Sequence, residues 1–175
     1  DDVELLDVTR MCNGLVQTFA EYAETHKVGY RTEVGEGMLF PSARGTLSMV
    51  LNIVLSNAFR RSETGGEVFF GVSVVQDRLR VVVSNRGEGV DLGQIEFLSD
   101  RYRLLDYLES RGKGGLSQKG DMELAICHNL AAKLGGEFRI ASEGDVTTVT
   151  LSFPELEIAR VTQPVLQVDM ASDRQ

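Results

Sequence analysis

Histidine and cysteine are both scarce in this chain, with two of each among 175 residues. That leaves little material for a metal centre or for hydrolysis built on an imidazole base, which need several such ligands or a base paired with a nucleophile. Cys12 and Cys127 belong to no CxxC pair and lie in apolar helical patterns. They read as buried thiols acting as small hydrophobes, with a disulfide or metal site as the lesser alternative. Positive charge is also short: 18 Lys and Arg face 26 Asp and Glu, for a net charge of -8. A nucleic-acid backbone is bound mainly by clustered cations, so nucleic acid is excluded as a partner. A single triphosphate needs only a few positive groups and is not excluded. No apolar run reaches the roughly 20 residues of a membrane span. The expected location is cytoplasmic, as a free domain or as the cytoplasmic part of a membrane sensor. The abrupt acidic start, DDVELLD, suggests a fragment of a longer protein.

What is present is a hydrophobic fraction of 42% with 25% charged residues, the balance of a globular domain with a full-sized core. From about residue 7 to 27, Val8, Met11, Cys12, Leu15, Val16, Phe19, Tyr22 and Ala23 form one stripe of an amphipathic helix, with Asp7 as its N-cap. Gly29, Gly35 and Gly37 bracket two extended runs, 30–34 and 38–40. A second helix is expected over 43–61, with Leu47, Val50, Leu51, Val54, Leu55 and Ala58 inward. Val- and Phe-rich runs at 68–75 and 79–83 predict a hairpin turning at Gln76 and Asp77.

A polar stretch from 91 to 120 follows, with a short helical pattern at 101–108. A helix over 122–134 is then stopped by Gly135 and Gly136. Strands at 137–141 and 147–153 flank a turn at Glu143, Gly144 and Asp145. Beyond Pro154 no period is visible. The expected organisation is one domain over 1–158 and a C-terminal tail or linker over 159–175, in which 164–168 is a further strand candidate. The element order predicts an α/β fold, one mixed sheet covered on one face by helices.

Three segments, taken in order, carry a resemblance. TLSMVLNIVLSNAFRRS (46–62) resembles the asparagine box of the histidine-kinase ATPase domain, within the superfamily of gyrase, chaperone, histidine kinase and mismatch-repair ATPases. VVVSNRGEGV (81–90) is similar to its first glycine box. The segment from 119 to 154 follows its closing pattern of lid, helix, Gly-Gly, strand, Thr-bearing turn and final strand. The aromatic segment before the lid is matched loosely around Phe97 and Tyr102. The resemblance covers about residues 3–154 and implies the two-layer α/β sandwich called the Bergerat fold, with ATP and Mg²⁺ as cofactors. By the same resemblance, Asn57 helps hold the magnesium and Arg60 stands near the phosphates. Asn85 takes the place of the Asp that reads the adenine amino group. Gly87 and Gly89 bring backbone close to the base, Gly120 belongs to the lid, and Thr147 (or Thr148) stands in the closing turn. Oxygen donors suit a hard cation, and a nearby cation suits a triphosphate.

The pattern is departed from at four places. Ile53 stands where the box has a second Asn, and an apolar side chain ligates nothing. Asn85 accepts through its oxygen but brings no charge and adds an NH₂. The lid reads Lys119-Gly120-Asp121-Met122-Glu123-Leu124, setting two carboxylates where phosphate is expected, and Val146 replaces the Gly of the closing turn. Gly112, Lys113, Gly114 and Gly115 are an alternative, shifted phosphate loop. Plainer readings stand beside these: Asn57 as a bridge within its helix, Arg60 and Arg61 as a solvated helix end, His128 as a packing residue.

Two functions are therefore expected. One is the catalytic domain of a two-component sensor histidine kinase, possibly of hybrid type, transferring the ATP γ-phosphoryl to a His on a separate dimerisation domain and so serving a response-regulator receiver. The other is a degenerate pseudokinase, with weak or no ATP binding, acting through protein contacts. A stand-alone anti-sigma-type kinase phosphorylating Ser is disfavoured by the helix over 7–27. Neither His26 (before Lys27) nor His128 (before Asn129) has the acidic follower of a phosphoacceptor.

Overall fold

A computed structural model describes residues 1–99 and 119–158. The expectations at Tyr102, 101–108, 112–115 and 159–175 lie outside these residues. Helix α1 (Val8–His26) starts where expected, the Asp7 carboxylate accepting from the Arg10 N–H at 3.0 Å. It ends at Lys27, whose φ of 54° is left-handed, with the Val28 N–H returning to the Ala23 carbonyl. Helix α2 (Arg44–Arg61) lacks a side-chain cap from Ala43. The Asp1 carboxylate serves instead, accepting from the Thr46 N–H at 2.7 Å and its hydroxyl at 2.9 Å. The free amides of a first helical turn make this favourable.

The main sheet has five strands in the order β2-β4-β5-β7-β6. These are β2 (Gly29–Val34), β4 (Glu67–Val75), β5 (Arg78–Arg86), β6 (Glu137–Glu143) and β7 (Val146–Pro154). β2 runs parallel to β4 and the other neighbours are antiparallel, so the sheet is mixed. This is the expected mixed sheet, and one further sheet stands beside it. A second, two-stranded sheet pairs β1 (Val3–Asp7) with β3 (Leu39–Ala43), antiparallel with Leu6 opposite Phe40. Both of those side chains are fully buried. A five-residue strand paired with a segment more than thirty residues away leaves no strong local period, which is why β1 is not evident from sequence.

The hairpin β4–β5 turns at Gln76 and Asp77, whose φ values of 52° and 60° are those of the tight turn that matches strand twist. Helix α4 (Lys119–Lys133) ends with Gly135 at φ 67° and the Gly136 N–H on the Ala131 carbonyl. The polar stretch after residue 90 contains helix α3 (Leu92–Ser99). Asp91 caps it by accepting from the Gln94 N–H at 2.9 Å, and Ile95 is buried.

The helices cover one face of the main sheet. On that face Leu79, Val81 and Val83 of β5 stand opposite Phe153, Leu151 and Val149 of β7, all buried. Val68, Phe70 and Val72 continue the row on β4. The α2 residues Leu47, Val50, Leu51, Val54, Leu55 and Ala58 pack over it, and Phe19 of α1 stacks on Phe59 with ring centroids 5.3 Å apart. No helix among the described residues is long and apolar enough to cross a membrane.

Candidate nucleotide-binding site

The apolar rows of β5 and β7 do not run to the end of the sheet. Side chains alternate along a strand, so the position after Val83 on the inner face is Asn85, and its partner on β7 is Thr147. Only 4% of Asn85 and 3% of Thr147 is exposed. Asn85 Nδ2 and Thr147 Oγ1 are buried without a hydrogen-bond partner in the protein. An unpaired buried polar group costs about 1–3 kcal/mol, so two on neighbouring strands set this end of the sheet apart from the apolar rows before it. Thr148 points to the opposite face and is half-buried, which singles out Thr147 of the two threonines.

The glycine-bearing turn after β5 docks on the end of α2. A Cβ on Gly87 would lie 2.0 Å from the Arg61 carbonyl oxygen, closer than any real contact. The Glu88 N–H donates to that same oxygen, and the Gly87 N–H donates to Asp145 O at 2.9 Å. The close approach that requires Gly87 is thus to a helix end, whereas the resemblance led us to expect a base. Gly89 is different: a Cβ there would meet nothing within 4 Å, and its carbonyl accepts from Arg61 Nη1 at 2.8 Å.

Helix α2 presents Asn57 and Arg61 one turn apart, on one face. Asn57 is 4% exposed and donates from Nδ2 to the Gly120 carbonyl at 2.9 Å, which ties α2 to the first turn of α4. The Arg61 guanidinium lies over Gly120, where a Cβ would come within 2.5 Å of Nη2. Its side chain is 11% exposed, against 42% for Arg60. Arg61 is therefore no solvated helix end. It ties the end of α2 to the first turn of α4, a contact that the reading from sequence left unassigned, and its i, i+4 relation to Asn57 was the available signal.

The lid carboxylates need a second correction. They were expected to stand bare against phosphate. Asp121, fully buried, accepts from Arg61 Nη2 at 2.6 Å, and Glu123 forms an ion pair with Arg60. Each acid is neutralised by an arginine, and each arginine is thereby engaged. Asp121 Oδ2 and Arg61 Nε keep no partner of their own. Asp121 also stands in the first turn of α4, where the helix dipole favours an anion. Ile53 packs against the core, and Val146 opens β7 half-buried opposite Arg86.

The site divides into two halves by chemistry. One half, Asn85 and Thr147, offers unpartnered polar atoms at the end of an apolar wall. In the phosphate half, Asn57 is a single amide and the arginines are held by acids. No group of three or more His, Cys, Asp or Glu among the described residues could hold a metal. Cys12 and Cys127 are free, buried thiols pushed up to about 12 by desolvation, far from thiolate ligands at neutral pH. His128 sits edge-on to Phe138, centroids 5.4 Å apart, as a packing residue. Phe97 of α3 is about half exposed.

Comparison with known proteins bears on the fold and the family. The sequence model of the family described as histidine kinase-, DNA gyrase B- and HSP90-like ATPases matches residues 43–157. The sensor histidine kinase WalK of Bacillus subtilis is 26% identical over 157 residues, covering 88% of this chain and 25% of WalK. The sensor-like histidine kinase SenX3 of Mycolicibacterium smegmatis is 26% identical over 155 residues, with 39% of SenX3 covered. The chain thus spans well under half the length of these relatives. The catalytic domain of the histidine kinase ThkA shares the fold at a TM-score of 0.71 and 14% identity, over 89% of this chain and 97% of that domain.

Proposed function

The chain belongs to the family of histidine kinase-, DNA gyrase B- and HSP90-like ATPases, and we propose that it is the nucleotide-binding domain of a two-component sensor histidine kinase. The observation that carries this reading is the buried pair Asn85 and Thr147, aimed inward with unpartnered polar atoms at the end of an otherwise apolar row. Asn85 gives its amide oxygen to a purine amino group and its NH₂ to a ring nitrogen, and Thr147 supplies a hydroxyl beside it. Asn57 offers one oxygen to Mg²⁺, with its NH₂ anchored on Gly120. Among the described residues, Arg60 and Arg61 are the cations offered to phosphate. Bound Mg·ATP supplies the phosphoryl group, whose transfer depends on positioning and charge stabilisation. The acceptor is a His on a separate dimerisation domain, and a response-regulator receiver takes the phosphoryl onward. The kinship with sensor kinases such as WalK supports this reading.

A second reading, the pseudokinase, is favoured by one specific observation: Arg61 and Arg60 are already paired with Asp121 and Glu123. Titration calorimetry with ADP and ATP tests nucleotide binding. Binding that falls at least tenfold in Asn85→Ala and in Thr147→Val supports the site; equal binding in both variants overturns it. Phosphoryl transfer is tested in the intact protein with labelled ATP. Acid-labile label on histidine supports the kinase, and nucleotide binding without label identifies the pseudokinase.

A further inference from the structure

Among the described residues, none fixes which way the Asn85 amide faces. Across the inner face of the sheet its neighbours are Val68 on β4 and Thr147 on β7, and neither carries a charge. Asn85 Nδ2 has no hydrogen-bond partner in the protein, so turning the amide over breaks no bond from that nitrogen. Thr147 Oγ1 is equally unpartnered, and a hydroxyl donates or accepts according to its rotation. Both side chains are buried, so the pair can present a donor beside an acceptor in either sense without competition from bulk water.

Asn85 takes the place of an Asp in the box that its segment resembles, and a carboxylate there only accepts. An adenine edge offers an amino donor and, beside it, a ring-nitrogen acceptor. A 6-oxopurine such as guanine or hypoxanthine offers the opposite pair, a carbonyl acceptor and a ring N–H donor. Two acceptors that face each other away from water both go unpaired, and by such mismatches a buried site rejects an analogue. An amide escapes the mismatch with either edge by turning over.

We propose that Asn85 makes this a general purine-nucleotide site, one that takes 6-oxopurine nucleoside triphosphates as well as ATP. This rests on the base-binding role of Asn85 and Thr147 given under the proposed function, and it widens the substrate class from ATP to purine triphosphates. Thr147 serves either edge and does not choose between them.

The test is calorimetric titration of the chain with Mg·ATP and with Mg·ITP, whose hypoxanthine differs from adenine only at this edge, repeated on Asn85→Asp. The ATP-to-ITP ratio is read within each protein, which cancels any general loss of affinity in the variant. In the unaltered chain the two dissociation constants are expected to agree within about fivefold. In Asn85→Asp, ITP is expected to bind at least tenfold more weakly than ATP. A gap wider than fivefold in the unaltered chain overturns the broad specificity and leaves the nucleotide-binding reading intact. The same ratio in Asn85→Asp as in the unaltered chain overturns Asn85 as its cause. Should neither triphosphate bind a chain whose thermal melt is cooperative, the base-binding reading falls and this inference with it. If Asn85→Asp does not fold, Asn85→Ala replaces it: an equal loss of at least tenfold for both triphosphates supports the proposal, and a loss for one alone overturns it.

Discussion

Arg61 shows how much one side chain decides in this molecule. Its backbone carbonyl receives the glycine turn, its guanidinium covers Gly120, and its charge compensates a carboxylate with no access to water. Removing one member of such a buried pair costs about 3–5 kcal/mol because the other charge is left uncompensated, whereas replacing both members by apolar groups of similar size costs much less. Asp121→Leu is therefore expected to lower stability by several kcal/mol in urea denaturation, and the double change Asp121→Leu with Arg61→Met by much less; equal losses would refute the pairing. Gly87→Ala is expected to be among the most damaging single changes, because the new Cβ meets backbone rather than a side chain that can move. A melting temperature within a degree or two of the unaltered chain would contradict that contact. The thiols of Cys12 and Cys127 are raised to about 12 by burial. A raised acid is neutral when folded and ionises more easily when unfolded. Its stabilising effect is complete below the unfolded value of about 8.5 and is lost as pH climbs toward 12. Denaturation midpoints are thus expected to hold on this account up to about pH 8 and to fall by pH 10, with less of a fall in Cys12→Ala.

At the scale of elements, ends matter more than middles. Asp7 closes the start of α1 with a single side-chain acceptor, and Asp7→Ala is expected to cost about 1 kcal/mol, measurable as a lower urea midpoint. Helix α2 takes its cap from Asp1, a residue brought there by the pairing of β1 with β3. The β4–β5 turn holds Gln76 and Asp77 at positive φ, where Asn-Gly suffers less strain. Replacing the pair by Asn-Gly is expected to stabilise by roughly 0.5–1 kcal/mol, and a loss of stability would contradict the turn. The periods of α1, α2 and the hairpin were legible because each buries one continuous face. Helix α3 was missed: at eight residues it is too short to establish a period, and the signal that remained was the Asp91 cap with Ile95 behind it.

At the scale of the whole molecule, four separate segments converge. The end of α2 lies against the first turn of α4 and against the turn after β5, and that turn meets the turn before β7. The core beneath is shared, so its loss is global. Phe153→Ala, at a fully buried position opposite Leu79, is expected to cost about 3–5 kcal/mol and to lower stability cooperatively.

The sequence by itself determined the family, the order of the boxes and the inner faces of the main helices and strands. The faces depend on residue type at short, regular spacing, whereas Asn57, Asn85, Gly87 and Thr147 (or Thr148) were singled out by the resemblance of their segments. Only the tertiary structure decided what Arg61, Asp121 and Glu123 do. Sequence shows two acids in a lid and two arginines at a helix end some sixty residues away. Whether such charges repel a ligand or neutralise one another is a matter of distances of a few ångströms. The acids that looked like bare obstacles to phosphate are partners of the arginines.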